Sequence, residues 1–132
     1  MGFYRIKIRQ SDKVFSEAIR ERDGWKCQYK FKCAGVIDYR SNPGALSCSH
    51  FLKRRHESTR FDPENCDAAC ASCHMFVEDT VEGKQALEWW KLQQLGERRY
   101  KLLHIKAQTY KRRDDKLDLL VAKLFLKEIK QA

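Results

Sequence analysis

The side chains best suited to chemistry in this sequence lie between residues 46 and 77. His50 ends an apolar run there, Asn65 precedes a Cys-x-x-Cys pair, and His74 directly follows that pair. A neutral imidazole can take a proton from water near pH 7. Imidazole and amide groups can also hold a divalent cation, which stabilises the charge that develops on a leaving oxygen. These residues predict hydrolysis of a phosphodiester, with His50 as general base and with Asn65 and His74 as cation ligands.

Taken singly, each of these residues has an ordinary explanation. A histidine in a strand is more often a packed or surface residue than a base, and a Cys-x-x-Cys-His sequence also occurs in zinc-binding adaptors. The joint order of His50, Asn65 and His74 around the cysteine pair favours the catalytic interpretation. The alternative, a non-catalytic zinc module that binds DNA or a partner protein, stays open. His104 is predicted to pack among apolar residues, and His56 to lie in a loop.

Four cysteines form a second group of chemical side chains: Cys27, Cys33, Cys70 and Cys73. Four thiolates fill the tetrahedral shell of Zn²⁺ and leave no position for water, so the predicted zinc is structural and supplies folding energy. Five residues separate Cys27 from Cys33, more than the usual two to four of a zinc knuckle. The remaining cysteines, Cys48 and Cys66, lie in predicted strands and are expected to be buried free thiols. The alternative that either ligates zinc stays open.

The charge of the chain indicates a polyanionic partner. Its 132 residues include 27 Lys and Arg against 18 Asp and Glu, a formal charge of +9. Such an excess favours nucleic acid, although charge alone does not exclude a ribosome-associated protein. No apolar run reaches the roughly 18 residues that a membrane span needs. Without a visible signal peptide, the six cysteines are better explained by metal binding in a reducing cytoplasm than by disulfides.

The hydrophobic pattern predicts a small α+β fold. Helices are expected at residues 11–22, with Ser11 as the cap, and at 70–77, 81–95, 100–107 and 114–130. Strands are expected at residues 3–8 and in a hairpin that joins 36–39 to 45–51. Residues 53–64 are polar and are predicted to be a loop. The length suits one domain, residues 1–132, with a core at 25–78 and a helical extension at 81–132.

Basic residues cluster at two places that could contact a phosphate backbone. The first cluster comprises Lys53, Arg54, Arg55 and Arg60, directly after the predicted base. The second spans residues 98–113 and is either a clamp on the DNA backbone or a solvated helix face. Neither cluster has a pattern that reads base edges, so we expect weak sequence preference.

Several motifs of the chain resemble a known family of nucleases. The order of His50, Asn65 and His74 beside a cysteine pair resembles the HNH endonuclease motif. Closer likeness is to the lambdoid phage recombination proteins called NinG or Rap. It rests on Cys48-Ser49-His50-Phe51, Arg54-Arg55-His56, Thr59-Arg60-Phe61-Asp62, Asn65 and Cys70-x-x-Cys73-His74. The likeness covers roughly residues 12–100.

The resemblance implies a zinc-stapled ββα-metal finger, also called a treble-clef or His-Me finger. It implies that His50 is the general base, that Asn65 positions the site or binds metal, and that His74 is a ligand of one catalytic cation, Mg²⁺ or Mn²⁺. NinG-like proteins act on branched DNA such as Holliday junctions during recombination, in the cytoplasm of a bacterial host cell, whereas ordinary HNH enzymes cut duplex DNA.

One position departs from the family pattern. Many HNH enzymes place a carboxylate directly before the base, where this chain has Ser49. Another group must then complete the cation shell, and the candidates are Asp62, Glu57, Glu78 or water.

The last predicted helix has more apolar surface than a terminal helix usually needs. Its stripe consists of Leu117, Leu120, Val121, Leu124 and Ile129. Packing onto the core of the same chain is one explanation. The alternative is a homodimer in which this helix pairs with its copy about a two-fold axis.

Overall fold

The centre of the fold is a pair of antiparallel strands and the helix that follows them. The computed structural model describes residues 6–132, and six helices and two strands are present in that part of the chain. In chain order these are α1 (Gln10–Arg22), β1 (Leu46–His50), α2 (Glu57–Arg60), β2 (Cys66–Cys70), α3 (Ala71–Asp79), α4 (Val81–Leu95), α5 (Glu97–Ala107) and α6 (Asp115–Gln131). The predicted small α+β class is confirmed.

The strand β1 pairs with β2 and not with the segment that the sequence predicts. The pairing is antiparallel along both strands, so that His50 lies opposite Cys66. Residues 36–39, the predicted hairpin partner, are irregular. Val36 and Ile37 in that segment are 72% and 58% exposed, so no apolar face holds them against β1. The hairpin prediction is therefore wrong.

The segment before β1 forms a loop that is fastened to β2. The backbone N–H of Gln28 donates to the carbonyl of Ala68 over 2.9 Å, and the N–H of Tyr39 donates to the carbonyl of Trp25 over 2.9 Å. These bonds satisfy backbone groups that would otherwise be unpaired beside the core. They also hold Cys27 and Cys33 beside the end of β2.

Two further predictions of local structure need correction. Residues 53–64 are not all loop, because they contain α2 and the start of a 3₁₀ turn at Pro63–Asn65. Of the predicted strand at residues 3–8, residues 3–5 lie outside the described part of the chain, and residues 6–8 are irregular. The carbonyl of Lys7 accepts a hydrogen bond from the guanidinium of Arg60 over 3.0 Å, a side-chain contact in place of a strand partner.

The five predicted helices are confirmed, with ends that differ by a few residues. The cap of α1 is not Ser11. The backbone N–H of Arg9 donates to the carboxylate of Asp12 over 2.8 Å, which satisfies a donor at the helix N-terminus. No helix among residues 6–132 combines the length and the apolar character that a membrane crossing needs.

Two apolar clusters hold these elements together. One contains Phe15 and Ile19 of α1, Cys48 and Cys66 of the strands, and Ala122 of α6. The other lies around α3, α4 and the loop before β1, and its largest members are Trp25, Tyr29, Leu46, Val77 and Leu87. The helices α1 and α6 pack on each other, and the rings of Phe15 and Phe125 are 5.9 Å apart.

Buried ion pairs fasten the connection between the strands. The ammonium of Lys91 in α4 is fully buried; it donates to the carboxylate of Asp67 over 2.6 Å and to the carbonyl of Glu64 over 2.8 Å. At the other side, the guanidinium of Arg60 donates to Asp12 of α1 over 2.9 Å. Burial alone would raise the pKa of Asp12, but its hydrogen bonds lower it. Because unpaired buried charges are strongly unfavourable, these pairs fix residues 51–65 against α1 and α4.

The helix α6 turns its apolar stripe outward. Ala122 is buried and Phe125 is half-buried against α1. Four residues at positions i, i+3, i+4 and i+7 are about half exposed: Leu117 (51%), Leu120 (55%), Val121 (52%) and Leu124 (50%). Packing onto the core of the same chain therefore does not account for most of the stripe.

Candidate functional site

The four cysteines predicted to bind zinc lie together. The sulfur atoms of Cys27, Cys33, Cys70 and Cys73 are all within 4.8 Å of one another, and the Cys33 and Cys73 sulfurs are 3.8 Å apart. A tetrahedron with zinc–sulfur bonds of about 2.3 Å has edges of about 3.8 Å, whereas a disulfide bond is about 2.05 Å. The donor set and its spacing fit a structural zinc ion.

The local backbone explains how the long loop between Cys27 and Cys33 closes. Lys30 has a left-handed φ of 59°, and Gly35 has a φ of 69°. A Cβ at Gly35 would lie 2.7 Å from the Lys30 side chain, so glycine is required there. The backbone N–H of Lys32 points at the sulfur of Cys73 over 3.3 Å.

The surroundings of the cysteine cluster shift the pKa values of two of its thiols in opposite directions. Burial alone would raise the pKa of Cys27, yet backbone N–H groups of Lys30, Cys70 and Tyr29 lower it below its ordinary value. Burial raises the pKa of Cys73 to about 12. A metal must therefore displace protons from part of the cluster, and its affinity will depend on pH.

The two predicted catalytic histidines line the same groove. This groove has a volume of about 330 Å³. Its walls are formed by Ile6, Cys48, His50, Lys53, Arg54, His74 and Glu78. His50 is the last residue of β1 and His74 lies in α3, so the pairing of the strands and the start of the helix bring them together.

The imidazole of His50 has a defined tautomer. Its Nε2 lies 2.9 Å from the carbonyl of Arg60. A carbonyl can only accept, so Nε2 carries the hydrogen and Nδ1 has the free lone pair. Burial, followed by the charge of Arg54, lowers the pKa of His50 to about 4. The ring is therefore neutral at neutral pH, the state in which it can accept a proton.

The structure places Asn65 in a positioning role. Its side-chain amide donates to the carbonyls of Leu52 (2.8 Å) and Thr59 (3.1 Å), and its side-chain oxygen accepts from the N–H of Leu52 over 2.7 Å. Asn65 is fully buried and does not line the groove. Its side chain closes residues 51–65 into a fixed loop, and this arrangement offers no cation a ligand at Asn65.

Glu78 is the carboxylate that lies beside His74. The two residues are one helical turn apart on α3, with His74 Nε2 and Glu78 Oε1 3.7 Å apart. Of the three acidic candidates, Asp62 forms an ion pair with Lys106 and Glu57 with Arg9, away from this groove. Burial lowers the pKa of His74, so its ring is available as a neutral ligand. A carboxylate suits Mg²⁺ or Mn²⁺, whereas an imidazole suits Zn²⁺ and other transition metals.

Ser49 is absent from the groove for a structural reason. It is fully buried and its hydroxyl accepts a hydrogen bond from the Tyr29 hydroxyl over 2.8 Å. Because side chains alternate along a strand, Ser49 points away from its neighbour His50. A serine therefore supports the core at this position.

The basic residues of the first cluster separate into two kinds. Lys53 and Arg54 line the groove, and Arg55 is exposed next to them. Arg54 Nε has no hydrogen-bond partner and lies 3.7 Å from the Asp12 carboxylate. Arg60 differs, because only 2% of it is exposed and its guanidinium is bound to Asp12. Arg60 is therefore a structural residue and does not lie on a surface that could contact DNA.

Sequence reasoning missed two features of the groove. The first is that Cys48 lies beside His50 on the wall of the groove. Their i, i+2 spacing on one strand could have predicted this, because such residues share a face. The second is the preference for Glu78 among the three acids, although its i+4 spacing from His74 is a signal on a helix. No feature of the sequence predicts the hydrogen bond from His50 to the carbonyl of Arg60.

The chain was also compared with known proteins. No family model matches it, and neither the curated proteins nor the solved structures contain a significant match. The function is therefore inferred from the geometry of the groove and of the cysteine cluster.

Proposed function

We propose that this chain is a metal-dependent DNA endonuclease of the HNH type. The observation that carries the proposal is the groove in which a neutral His50, fixed through Nε2, lies with His74 and Glu78 between basic side chains. The order β1, long connection, β2 and α3, with four thiols at the start of α3, agrees with the ββα-metal finger that the sequence resemblance implies.

The roles of the side chains follow from their chemistry. His50 Nδ1 would take a proton from a water molecule that attacks the phosphorus atom. Nε2–H remains bound to the Arg60 carbonyl during this step and keeps the ring in one orientation. Asn65 holds the loop that carries this carbonyl, because its amide closes residues 51–65.

The cation site would be formed by His74 and Glu78, with positions left for water and phosphate. Mg²⁺ or Mn²⁺ there would stabilise the negative charge on the phosphate and on the leaving oxygen. Lys53 forms an ion pair with Glu78, so the carboxylate is occupied by a cationic side chain. Lys53 would exchange this carboxylate for a phosphate when DNA and the cation bind.

Cleavage of defined DNA substrates tests the proposed function. Linear duplex, single-stranded and four-way-junction DNA should be incubated with Mg²⁺ or Mn²⁺, with and without chelator. We expect metal-dependent cleavage, with the junction cut in preference to the linear duplex, as in phage recombination. Absence of cleavage of all three substrates under every metal condition would contradict the proposal and favour the non-catalytic zinc module.

Arg54, which lines the groove, and Arg55, which is exposed beside it, are expected to contact the DNA backbone. Each phosphate contact on duplex DNA releases about 0.9 of a counterion, so Arg54→Ala with Arg55→Ala should lower the slope of log affinity against log salt by about two. Fluorescence anisotropy at a series of salt concentrations measures this slope. The matched control is Arg98→Ala with Arg99→Ala, on α5. A slope that changes in the control pair and not in the first pair would place the DNA on the 98–113 face.

We also propose that α6 pairs with α6 of a second copy. Its outward stripe has the i, i+3, i+4, i+7 spacing of a helix–helix contact. Asp114 and Asp115 lie at the N-terminal end of α6, where Asp115 pairs with Arg113, and Lys127 and Lys130 lie near its C-terminal end. An antiparallel two-fold pair places the acidic end of one helix beside the basic end of the other. Two grooves on one branched DNA could then make paired incisions.

Two charged substitutions in the stripe test this pairing. Leu120→Glu with Leu124→Glu should give a folded monomer that nicks DNA but no longer makes coordinated cuts. Analytical ultracentrifugation gives the mass, and circular dichroism checks the fold. Gln85→Glu with Gln93→Glu, at exposed positions of α4, adds the same two negative charges and should remain dimeric. A wild-type protein that sediments as a monomer at micromolar concentration, with and without DNA, would contradict the pairing.

A further inference from the structure

A second group of metal-binding side chains lies at the His50–Cys66 end of the strand pair, whereas Cys70 of the cysteine cluster lies at the other end. The sulfurs of Cys48 and Cys66 and a ring nitrogen of His50 are all within 4.8 Å of one another. All three residues are buried, with Cys66 fully so, while Cys48 and His50 also line the groove. Two thiols and an imidazole are a ligand set that selects zinc over magnesium or calcium.

The strand pairing explains why these three side chains meet. Cys48 and His50 are two residues apart on β1, so they share a face of the strand. Cys66 is the direct partner of His50 across the pair. This placement is a property of the β1–β2 register and does not require movement of a loop.

The hydrogen bond of His50 matches that of a metal ligand. A histidine that binds metal through one ring nitrogen usually donates its other N–H to a carbonyl or carboxylate, which fixes the ring. Here Nε2 donates to the Arg60 carbonyl over 2.9 Å, which leaves Nδ1 as the ligand atom. The structure therefore already contains the supporting contact that such a site needs.

We propose that Cys48, His50 and Cys66 form a second zinc site with one open coordination position toward the groove. Three protein ligands around Zn²⁺ leave the fourth position for water or another small ligand. Zinc–sulfur bonds of about 2.3 Å and zinc–nitrogen bonds of about 2.0 Å place ligand atoms roughly 3.5 to 3.8 Å apart, and the three atoms lie within 4.8 Å of one another. Both thiols would bind as thiolates, so entry of the ion would release one proton from Cys48 and one from Cys66 to solvent.

Occupation of this site has a consequence that rests on the proposed function. Zinc would use the lone pair of His50 Nδ1, the same lone pair that accepts the proton of the attacking water. The zinc-loaded protein would then lack its general base. The second site would thus be inhibitory. One zinc ion would stabilise the fold at the cysteine cluster, and a second zinc ion would block hydrolysis at the groove.

Metal counting tests the site independently of any nuclease activity. The reduced wild-type protein should bind two zinc ions, one tightly and one more weakly, when titrated with Zn²⁺ against a chelator series and assayed by elemental analysis. Cys48→Ala should bind one. His74→Ala is the matched control, because it removes the proposed magnesium ligand and should still bind two. Replacement of Zn²⁺ by Co²⁺ should give a cysteine-to-cobalt absorption band for the second equivalent in His74→Ala and none in Cys48→Ala.

Three results would overturn the site. The first is saturation of the wild type at one zinc ion. The second is uptake of two zinc ions by Cys48→Ala. The third is a Cys48–Cys66 disulfide in protein purified without reductant, because the thiols would then serve as a redox pair.

The inhibitory consequence has a separate readout. Added Zn²⁺ should slow cleavage by wild type by about 10²-fold or more, the contribution of a general base, and the ratio of rates without and with Zn²⁺ should be much smaller in Cys48→Ala. If the ratio of rates without and with Zn²⁺ is equal in wild type and Cys48→Ala, zinc at this site does not inhibit cleavage. The number of zinc ions bound by each protein then still shows whether the site exists. If neither protein cleaves DNA at all, the proposed function fails and the zinc count remains informative.

Discussion

Replacement of His50 by alanine is expected to lower the rate of DNA cleavage by about 10²- to 10⁴-fold, the usual contribution of a general base. The reason is that His50 Nδ1 is the one neutral imidazole lone pair in the groove whose opposite nitrogen is fixed by a backbone carbonyl. Single-turnover cleavage of the preferred substrate at saturating Mg²⁺ or Mn²⁺ gives the rate. Affinity for DNA, measured without added Mg²⁺ or Mn²⁺, should remain close to that of the wild type.

The fold of this variant needs its own check, because His50 is buried beside Phe15, with 6.4 Å between ring centres. His50→Gln keeps a polar side chain of similar volume and should lose the same rate with a smaller loss of stability. His56→Ala is the control for loss of a histidine from the same region, since His56 lies outside the groove, and it should cleave like wild type. Cleavage by both His50 variants within a few-fold of the wild-type rate would refute the assignment and support a binding module.

Cys70→Ser should abolish the cooperative fold. Cys70 caps α3 and is one of the four thiols of the cysteine cluster. Structural zinc in small domains supplies roughly 10 kcal/mol or more, which exceeds much of the stability of a typical domain. We expect the wild type to hold one zinc that survives dialysis, and Cys70→Ser to lose it and to melt without a cooperative transition.

The control for this variant is Cys48→Ala, which removes a buried thiol outside the cluster. It should keep the tightly held zinc and a cooperative thermal transition by circular dichroism. Chelator should unfold the wild type as the serine substitution does. A Cys70→Ser protein without metal that melts cooperatively near the wild-type temperature would show that the fold does not depend on the zinc.

Periodicity in the sequence predicts the helices well because each helix carries its own apolar face. In α1, Phe15, Ala18 and Ile19 recur at helical spacing and are buried. The strand partner of β1 is not predictable in this way. Val36 and Ile37 have the β-branched side chains that favour strands, whereas Ala68 and Ala69 in β2 do not, yet β2 is the partner. The loop before β1 is attached to the cysteine cluster and, through Gln28, to Ala68 of β2. These contacts outweigh the local strand propensity of Val36 and Ile37.

The candidate site is predictable where chemistry depends on residue type and not where it depends on distant backbone. The cysteines and histidines can be recognised from their residue types and spacing. The structure brings the four cysteines together and places His50 and His74 in the same groove. The roles of Asn65 and Arg60 depend on hydrogen bonds to carbonyls of a folded loop and to Asp12. No sequence pattern encodes those contacts. Residue chemistry therefore made Asn65 a predicted cation ligand and Arg60 a predicted DNA contact, and only the family resemblance offered a positioning role for Asn65.

The packing of the last helix on the first has a consequence for the order of folding. Phe15 of α1 contacts Phe125 of α6 and the ring of His50, so the support behind the base includes elements that are far apart in the chain. At a synthesis rate of roughly 5 to 20 residues per second, α6 emerges about 5 to 20 seconds after α1. Residues 27–73, which hold the cysteine cluster, are complete during this interval. A growing chain can therefore bind zinc at the cysteine cluster first and complete the packing around His50, the proposed general base, last. The proposed catalytic competence would then be delayed until synthesis has passed α6.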